Sequence, residues 1–328
     1  MKFTLLPFCL FVFAMLPATS ILEEAPPLTI NLFCELNNHG LSADAAVLDE
    51  ALTAQGCRVR RVDRKDREVL CADINIFCEK MYAEHFKKAK KNWLIPNPEW
   101  FFNQSLKGLS RIDLILCRTK EVERIFNELG MKTYFLGFTS LDCFRSDAIK
   151  KADQYLHLAG NSPLKGTAAI VKTWKANKNF PLLVVISKRT PPASITSNIK
   201  WKGRYVEREE LLDDLNESLV HLCLSETEGF GHYISEAMSC GSIVVTTDAP
   251  PMNEFIEDSR FLVPYQSVKA EGLATLYRVS SRSIEEKIRE IAQLSSDELK
   301  AAGEANRQRY LEMKKNFEEN LRQLIDSV

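Results

Sequence analysis

The segment Leu222-Cys223-Leu224-Ser225-Glu226-Thr227-Glu228-Gly229-Phe230-Gly231-His232-Tyr233-Ile234-Ser235-Glu236-Ala237-Met238-Ser239-Cys240-Gly241 concentrates the residue types that do chemistry. It opens as a buried strand, turns through two glycines, enters a helix near Gly231 and stops at Gly241, a residue suited to a helix C-terminus. Glycines let the backbone approach a ligand closely, and the free amides of a helix N-terminus hold an anion such as a diphosphate. Glu228 precedes the turn and Glu236 lies inside the helix, so one carboxylate can face a sugar and the other a ribose diol. That arrangement describes a nucleotide-sugar pocket.

The surrounding elements must hold this turn at the end of a strand. Short apolar runs alternate with amphipathic stretches of helical length, which predicts βα units and a mainly parallel sheet. The first series reads as strand Leu28–Cys34, helix Leu41–Thr53, strands Arg58–Val62, Ile74–Cys78, Trp93–Ile95 and Ile112–Cys117, helix Lys120–Leu129 and strand Thr133–Leu136. A second series of strands runs through Tyr155–Leu158, Leu182–Ile186, Leu219–Leu224 and Ile243–Thr246. Two doubly wound parallel-sheet domains of α/β class are expected, over residues 28–147 and 153–328, with the boundary in the polar stretch from Asp147 to Asp153. Ligands of such sheets bind beyond the carboxyl ends of the strands, where the Glu228 turn falls. From Ile284 onward the chain is charged and helical and reads as a solvated tail packed on the surface.

The segment resembles the C-terminal domain of the group 1 retaining glycosyltransferases of GT-B fold, whose signature is two glutamates separated by seven residues around a Glu-Gly-Phe-Gly turn. Glu228, Gly229, Phe230, Gly231 and Glu236 match it, followed by Ala237 and Met238. Ile243-Val244-Val245-Thr246-Thr247-Asp248 with Glu254 is similar to the next strand and loop, and Lys165-Gly166-Thr167 to the lysine-glycine step before a helix. The resemblance implies two Rossmann-like domains facing a cleft, with the terminal helix crossing back to the first. It implies that Glu236 takes the nucleotide ribose, that Glu228 contacts the donor sugar and stabilises charge at the anomeric carbon, and that Lys165 neutralises the leaving diphosphate. Gly229, Phe230, Gly231 and Asn161 would complete the donor site, Asn161 standing in a stretch where the family usually has an arginine. An ordinary helix-start lysine is the alternative for Lys165, and a packing or capping role is the better one for His232.

The first domain would supply the acceptor side. His39 and Gly40 follow its first strand, Gly40 in the place where the resembling fold brings a glycine toward the donor phosphates. Pro96-Asn97-Pro98-Glu99-Trp100-Phe101 follows a later strand, so Glu99 could offer a carboxylate and Trp100 a sugar-stacking ring, or the segment could be a rigid capping turn. Lys87, Lys88, Lys90 and Lys91 could face an anionic acceptor or lipid head groups, but a solvated helix face explains them better.

Over 328 residues, 43 Lys+Arg balance 44 Asp+Glu for a net charge of −1, which argues against bulk nucleic-acid binding. A hydrophobic share of 45% excludes low-complexity disorder. No Asp-x-Asp and no Cys-x-x-Cys occurs, so neither a metal-bound diphosphate nor a zinc site is expected, and the predicted mechanism needs no cofactor beyond the nucleotide sugar. Residues 1–20, with Lys2 ahead of an apolar run from Phe3 to Leu16, read as a signal peptide or short membrane anchor, which points to export. Cys34, Cys78, Cys117 and Cys223 sit in buried strands and point instead to the cytoplasm; membrane contact beyond the leader would be peripheral. The expected protein is a metal-independent retaining glycosyltransferase acting on a nucleotide sugar and a glycan, lipid or protein acceptor. A non-catalytic sugar-nucleotide or glycan-binding relative, or a sugar-nucleotide epimerase, is the alternative.

Overall fold

A computed structural model of the chain describes residues 26–35, 40–63, 65–66, 68–203 and 206–328; the leader and His39 lie outside the described residues. The first series forms β1 (Thr29–Phe33), α1 (Gly40–Ala54), β2 (Arg58–Val62), β3 (Ala72–Cys78), β4 (Ala89–Ile95), α2 (Asn103–Leu106), β5 (Leu114–Cys117), α3 (Lys120–Glu128) and β6 (Thr133–Phe135). Its strands make one parallel sheet in the order β2-β1-β3-β4-β5-β6. Three buried asparagines fix the register of the central strands. Asn31 donates to Asn75 at 3.1 Å and Asn75 to Asn92 at 3.0 Å, each pair directly opposite in the ladder. A one-residue slip would unpair both amides inside the sheet, which costs about 1–3 kcal/mol per buried group.

The second series forms β7 (Lys151–Gly160), α4 (Thr167–Ala176), β8 (Leu182–Ser187), β9 (Ile199–Gly203), α5 (Arg208–Glu217), β10 (Ser218–Cys223), α6 (His232–Ser239), β11 (Ile243–Thr247) and β12 (Leu262–Val263). These strands give a second parallel sheet, ordered β12-β11-β10-β7-β8-β9. Two doubly wound parallel sheets are therefore present. A hairpin of β13 (Tyr265–Glu271) and β14 (Ala274–Val279), which the hydrophobic pattern did not reveal, follows before α7 (Ser281–Ile291) and α8 (Ser296–Asp326).

Two sequence readings change. The four lysines do not share a helix face: Lys87 and Lys88 close a 3-10 turn, whereas Lys90 and Lys91 extend β4, where pairing with β3 continues to Ala89. The end of the chain is also more than a solvated tail. Helix α8 begins with a Ser295–Glu298 capping box and buries Tyr310, Phe317, Leu321 and Leu324. Fully burying a side chain of this size contributes about 1.5–3 kcal/mol. The helix also reaches the first sheet: the Tyr134 hydroxyl donates to the Asn320 carbonyl at 2.8 Å, and the Phe317 and Phe138 rings meet at 5.1 Å.

Candidate active site

In each sheet the strand order reverses direction at one place. In the second it lies at β7, which pairs with β8 on one side and β10 on the other. Crevices at such points, outside the carboxyl ends of the strands, are the ligand sites of open α/β sheets. The chain leaving β7 carries Lys165 and Gly166, and the chain leaving β10 carries the Glu228–Gly231 turn.

These two connections meet. Lys165 Nζ lies 2.5 Å from Glu228 Oε1 and 3.8 Å from the centre of the Tyr233 ring, with both charged side chains largely buried. Ser225 Oγ donates to the same Glu228 oxygen and lies 2.5 Å from the Tyr233 hydroxyl, whose pKa burial pushes well above the ordinary value. Gly166 caps α4 with φ of 70°, and a Cβ there would stand 2.3 Å from the Leu224 carbonyl, so no other residue fits. Beneath them, buried His157 accepts or donates at both ring nitrogens, to the Leu222 carbonyl and Thr167 Oγ1, each at 2.8 Å. Burial lowers its pKa to about 4, so it is a neutral tie between β7, β10 and α4.

The first sheet reverses at β1, and its strand ends face the same turn. Arg118, directly after β5, donates to Asp44 of α1 at 2.7 Å and to the Asn97 side-chain carbonyl. Asn97 donates in turn to Glu79 at 2.7 Å. Asp44 also meets His232 Nε2 at 2.8 Å, while His232 Nδ1 lies 2.8 Å from Ser140 Oγ. Burial raises the Asp44 carboxyl, but the Arg118 charge and the bonds from His232 and Arg118 outweigh it and leave the pKa lowered. Gly229 rests on this network so closely that a Cβ would fall 1.9 Å from Asn97 Oδ1. Further along, Glu254 accepts the first amides of α3, from Lys120 at 2.7 Å and Glu121 at 2.8 Å.

The candidate residues divide by environment. Glu228, Gly229, Gly231 and Lys165 come together at the junction. Gly40 opens α1, and a Cβ there would stand 4.0 Å from the His232 ring. The Phe230 ring is buried among Phe138, His232 and Phe255, so it holds the turn from behind. Glu236 lies on α6, half-buried, and its carboxylate has no hydrogen-bond or ion-pair partner among the described residues. Asn161 is exposed just after β7. Glu99 and Trp100, adjacent in a 3-10 turn after β4, part company: Glu99 is 8% exposed and Trp100 50%. Sequence reasoning did not single out Asp44, Asn97 or Arg118; Arg118 directly follows β5 and Asn97 lies two residues after β4, a signal that could have found those two, whereas Asp44 inside α1 carries none.

A cavity of about 460 Å³ opens beside α4, lined by Thr167, Lys172, Lys175, Ser187, Arg189 and Trp201 among others. It adjoins the carboxyl end of β8 and offers three cations, together with a buried Trp201 Nε1–H that has no partner. Glu236 is not among its lining residues. Among the described residues no cluster of metal-ligating side chains occurs and no helix is long and apolar enough to cross a membrane.

Residues 186–309 match the family described as glycosyl transferases group 1. Among solved structures the chain is similar to the pneumococcal O-GlcNAc transferase GtfA in complex with UDP and GlcNAc, at 17% identity and TM-score 0.60, over 77% of this chain and 56% of that one. It thus spans little more than half the length of that relative. It is also similar to the sucrose-phosphate synthase of Thermosynechococcus elongatus, at 13% identity and TM-score 0.66, over 92% and 100% of the two chains. HepE of Anabaena in complex with UDP-glucose is similar at 12% identity and TM-score 0.62, over 92% and 98%. At these identities the likeness is one of fold. No curated protein sequence matches the chain.

Proposed function

From the match of residues 186–309 to the group 1 glycosyl transferases and the likeness of fold to GT-B structures, we propose that the protein transfers a sugar from a nucleoside diphosphate donor to an acceptor hydroxyl. The observation that carries this reading is the Lys165–Glu228 pair at the switch point of the second sheet, 2.5 Å apart and shielded from water. A permanent cation there neutralises a departing diphosphate, and a carboxylate beside it meets sugar hydroxyls and positive charge growing at the anomeric carbon. The neighbouring cavity, with Lys172, Lys175, Arg189 and the free Trp201 N–H, suits a nucleoside and its phosphates.

In this reading the likeness of the Glu228-to-Glu236 signature supports retention, and the absence of Asp-x-Asp from the sequence supports a mechanism without a metal. Glu236, whose carboxylate is unengaged, takes the ribose diol in this reading. Closure of the two halves excludes water, which competes with the acceptor. Thermal stabilisation of the protein by UDP, GDP and ADP and by their glucose and N-acetylglucosamine esters tests it. One nucleotide should raise the midpoint, with the effect lost in Glu236→Ala and Lys165→Ala; no shift with any of them would sink the proposal. The contact of Gly229 on Asn97, which leaves no gap at the turn, favours a second reading as a binding protein that has lost transfer. Donor binding without release of nucleoside diphosphate would select it.

A further inference from the structure

A second cavity, of about 540 Å³, lies at the amino end of the second sheet, at the other end of β10 from the Glu228 turn. Three stretches close around it: the connection that leads into β7, the residues that end α6, and the first turns of α8. Its walls are largely apolar, with Ala148, Ala152, Leu219 and Leu299 beside the single ring of Phe144. Four cations, Arg145, Lys150, Lys300 and Arg307, line it against one carboxylate, Glu304. Three of the four are committed: Arg145 to Glu209 and Asp213, Arg307 to Asp142, and Lys300 to Glu304. Lys150 differs. Half-buried, it donates from Nζ to Ser242 Oγ at 2.5 Å and to the Ser218 carbonyl at 3.5 Å, and it has no carboxylate partner among the described residues. Two acceptors for three protons leave one N–H unanswered. Lys165 and Lys202, also drawn inside, each hold a carboxylate. The ionisable group that acts on Lys150 is the buried Cys240 thiol, whose pKa burial pushes up to about 11, so it supplies no counter-charge at neutral pH. An ammonium taken from water without a counter-charge is costly, and burial accordingly lowers the Lys150 pKa to about 8.

We propose that this cavity is a binding site for an aliphatic carboxylate, its head on the Lys150 ammonium and its chain along Ala148, Leu219 and Leu299. The site is separate from the sugar transfer proposed above and does not depend on it. A carboxylate supplies both what Lys150 lacks, a counter-charge and an acceptor for its third N–H, and charge-assisted bonds of this kind are the strong ones. The apolar walls then cover a hydrocarbon chain, in a space of the size that small-ligand sites have. A compact polyanion such as phosphate is a poorer match, because it needs several free donors at one point and the three neighbouring cations already have carboxylates. An aromatic acid is a poorer match as well, since the face of Phe144 already carries the Arg307 guanidinium at 4.7 Å.

Titration calorimetry of the full chain at pH 7 with octanoate, octanol and inorganic phosphate tests this in wild type, Lys150→Met and Leu299→Trp. Octanoate should bind wild type as a single saturable equivalent and raise its melting midpoint. Octanol and phosphate should each bind about tenfold or more weakly, the one lacking the charge and the other the chain. Lys150→Met replaces an unpaired ammonium by an apolar chain of similar reach, so it should melt no lower than wild type while losing about tenfold or more in octanoate affinity. Leu299→Trp fills the cavity without touching the ammonium, and it should lose octanoate too, which keeps the test open if Lys150→Met does not fold. No saturable binding of octanoate to wild type, or wild-type affinity in either variant that folds, would overturn the assignment. Phosphate bound as tightly as octanoate would overturn it as well, by showing a bare anion site. None of these readouts involves a nucleotide, so they stand whether or not the donor proposal does.

Discussion

Asp44 on α1 and His232 at the first turn of α6 meet at 2.8 Å across the junction of the two sheets, 188 residues apart in the chain. The same Asp44 oxygen accepts from Arg118, so one carboxylate joins the end of β5, the start of α1 and the start of α6. His232 thus packs against Phe138 and Phe230, as the sequence reading favoured, and at the same time bridges the two halves.

Asp44→Asn should be costly because it leaves the Arg118 guanidinium buried without its counter-charge. Breaking a buried pair in this way costs about 3–5 kcal/mol. Chemical denaturation at pH 7 measures it, and His232→Ala, which removes a bond while leaving the Arg118 pair, should cost about 1 kcal/mol.

Two carboxyls at the junction give pH effects of opposite sign. The folded pKa of Asp44 lies below its ordinary 3.8, so its contribution is present above that value and is lost as pH falls through the folded pKa. The folded pKa of Glu99 is about 7 against an ordinary 4.5, so its contribution is present below pH 4.5 and is lost as pH rises through 7. Wild-type stability should fall by about 1–3 kcal/mol between pH 5 and 8 from Glu99 alone. Glu99→Gln should flatten that slope in denaturation curves, and Asp44→Asn should remove the acid limb without touching it.

Gly229→Ala introduces a Cβ 1.9 Å from Asn97 Oδ1. Asn97 cannot swing away freely, being held by Arg118 and Glu79. Overpacking of this kind costs about 1–3 kcal/mol and here would push the halves apart. Thermal unfolding should show the loss and small-angle scattering an increased radius of gyration.

Lys165→Ala should depress release of nucleoside diphosphate by about 10²–10³ if the cation stabilises the leaving group. Lys165→Arg should restore only part of it, because the longer guanidinium must find room in the buried space that a compact ammonium fills between Glu228 Oε1 and the Tyr233 ring. Single-turnover assays with a donor that shifts the wild-type melting temperature decide the point.

The parts of the fold written in periodicity were legible. Strands such as Ile74–Cys78 are unbroken apolar runs, and the turn from Glu228 to Gly231 announces itself by glycines at fixed spacing before a helix. What was not legible depends on partners far away in sequence. β13 is polar and exposed along most of its length, so the hairpin has little hydrophobic signature; β14 buries Ala274 and Leu276, and the partly buried Leu273 packs against the core of the first sheet. Arg118 and Asp44 look like ordinary surface charges until the chain folds 74 residues back upon itself. Glu99 and Trp100 are neighbours with the same apparent promise, yet a single 3-10 turn sends one inward and the other to solvent.

The hairpin bears on how the molecule can move. Two bodies joined along one edge turn about it as a door does, and the covalent crossing between β6 and β7 together with α8 supplies such an edge. The hairpin tip makes a separate contact, Leu273 N–H to the Pro98 carbonyl, with the Leu273 side chain against the core of the first sheet. A third support away from an axis turns a hinge into a tripod. For the halves to part, the tip must lift from the Pro98 carbonyl and the Asp44–His232 and Glu254–α3 contacts must break, so the hairpin adds a third support to those two.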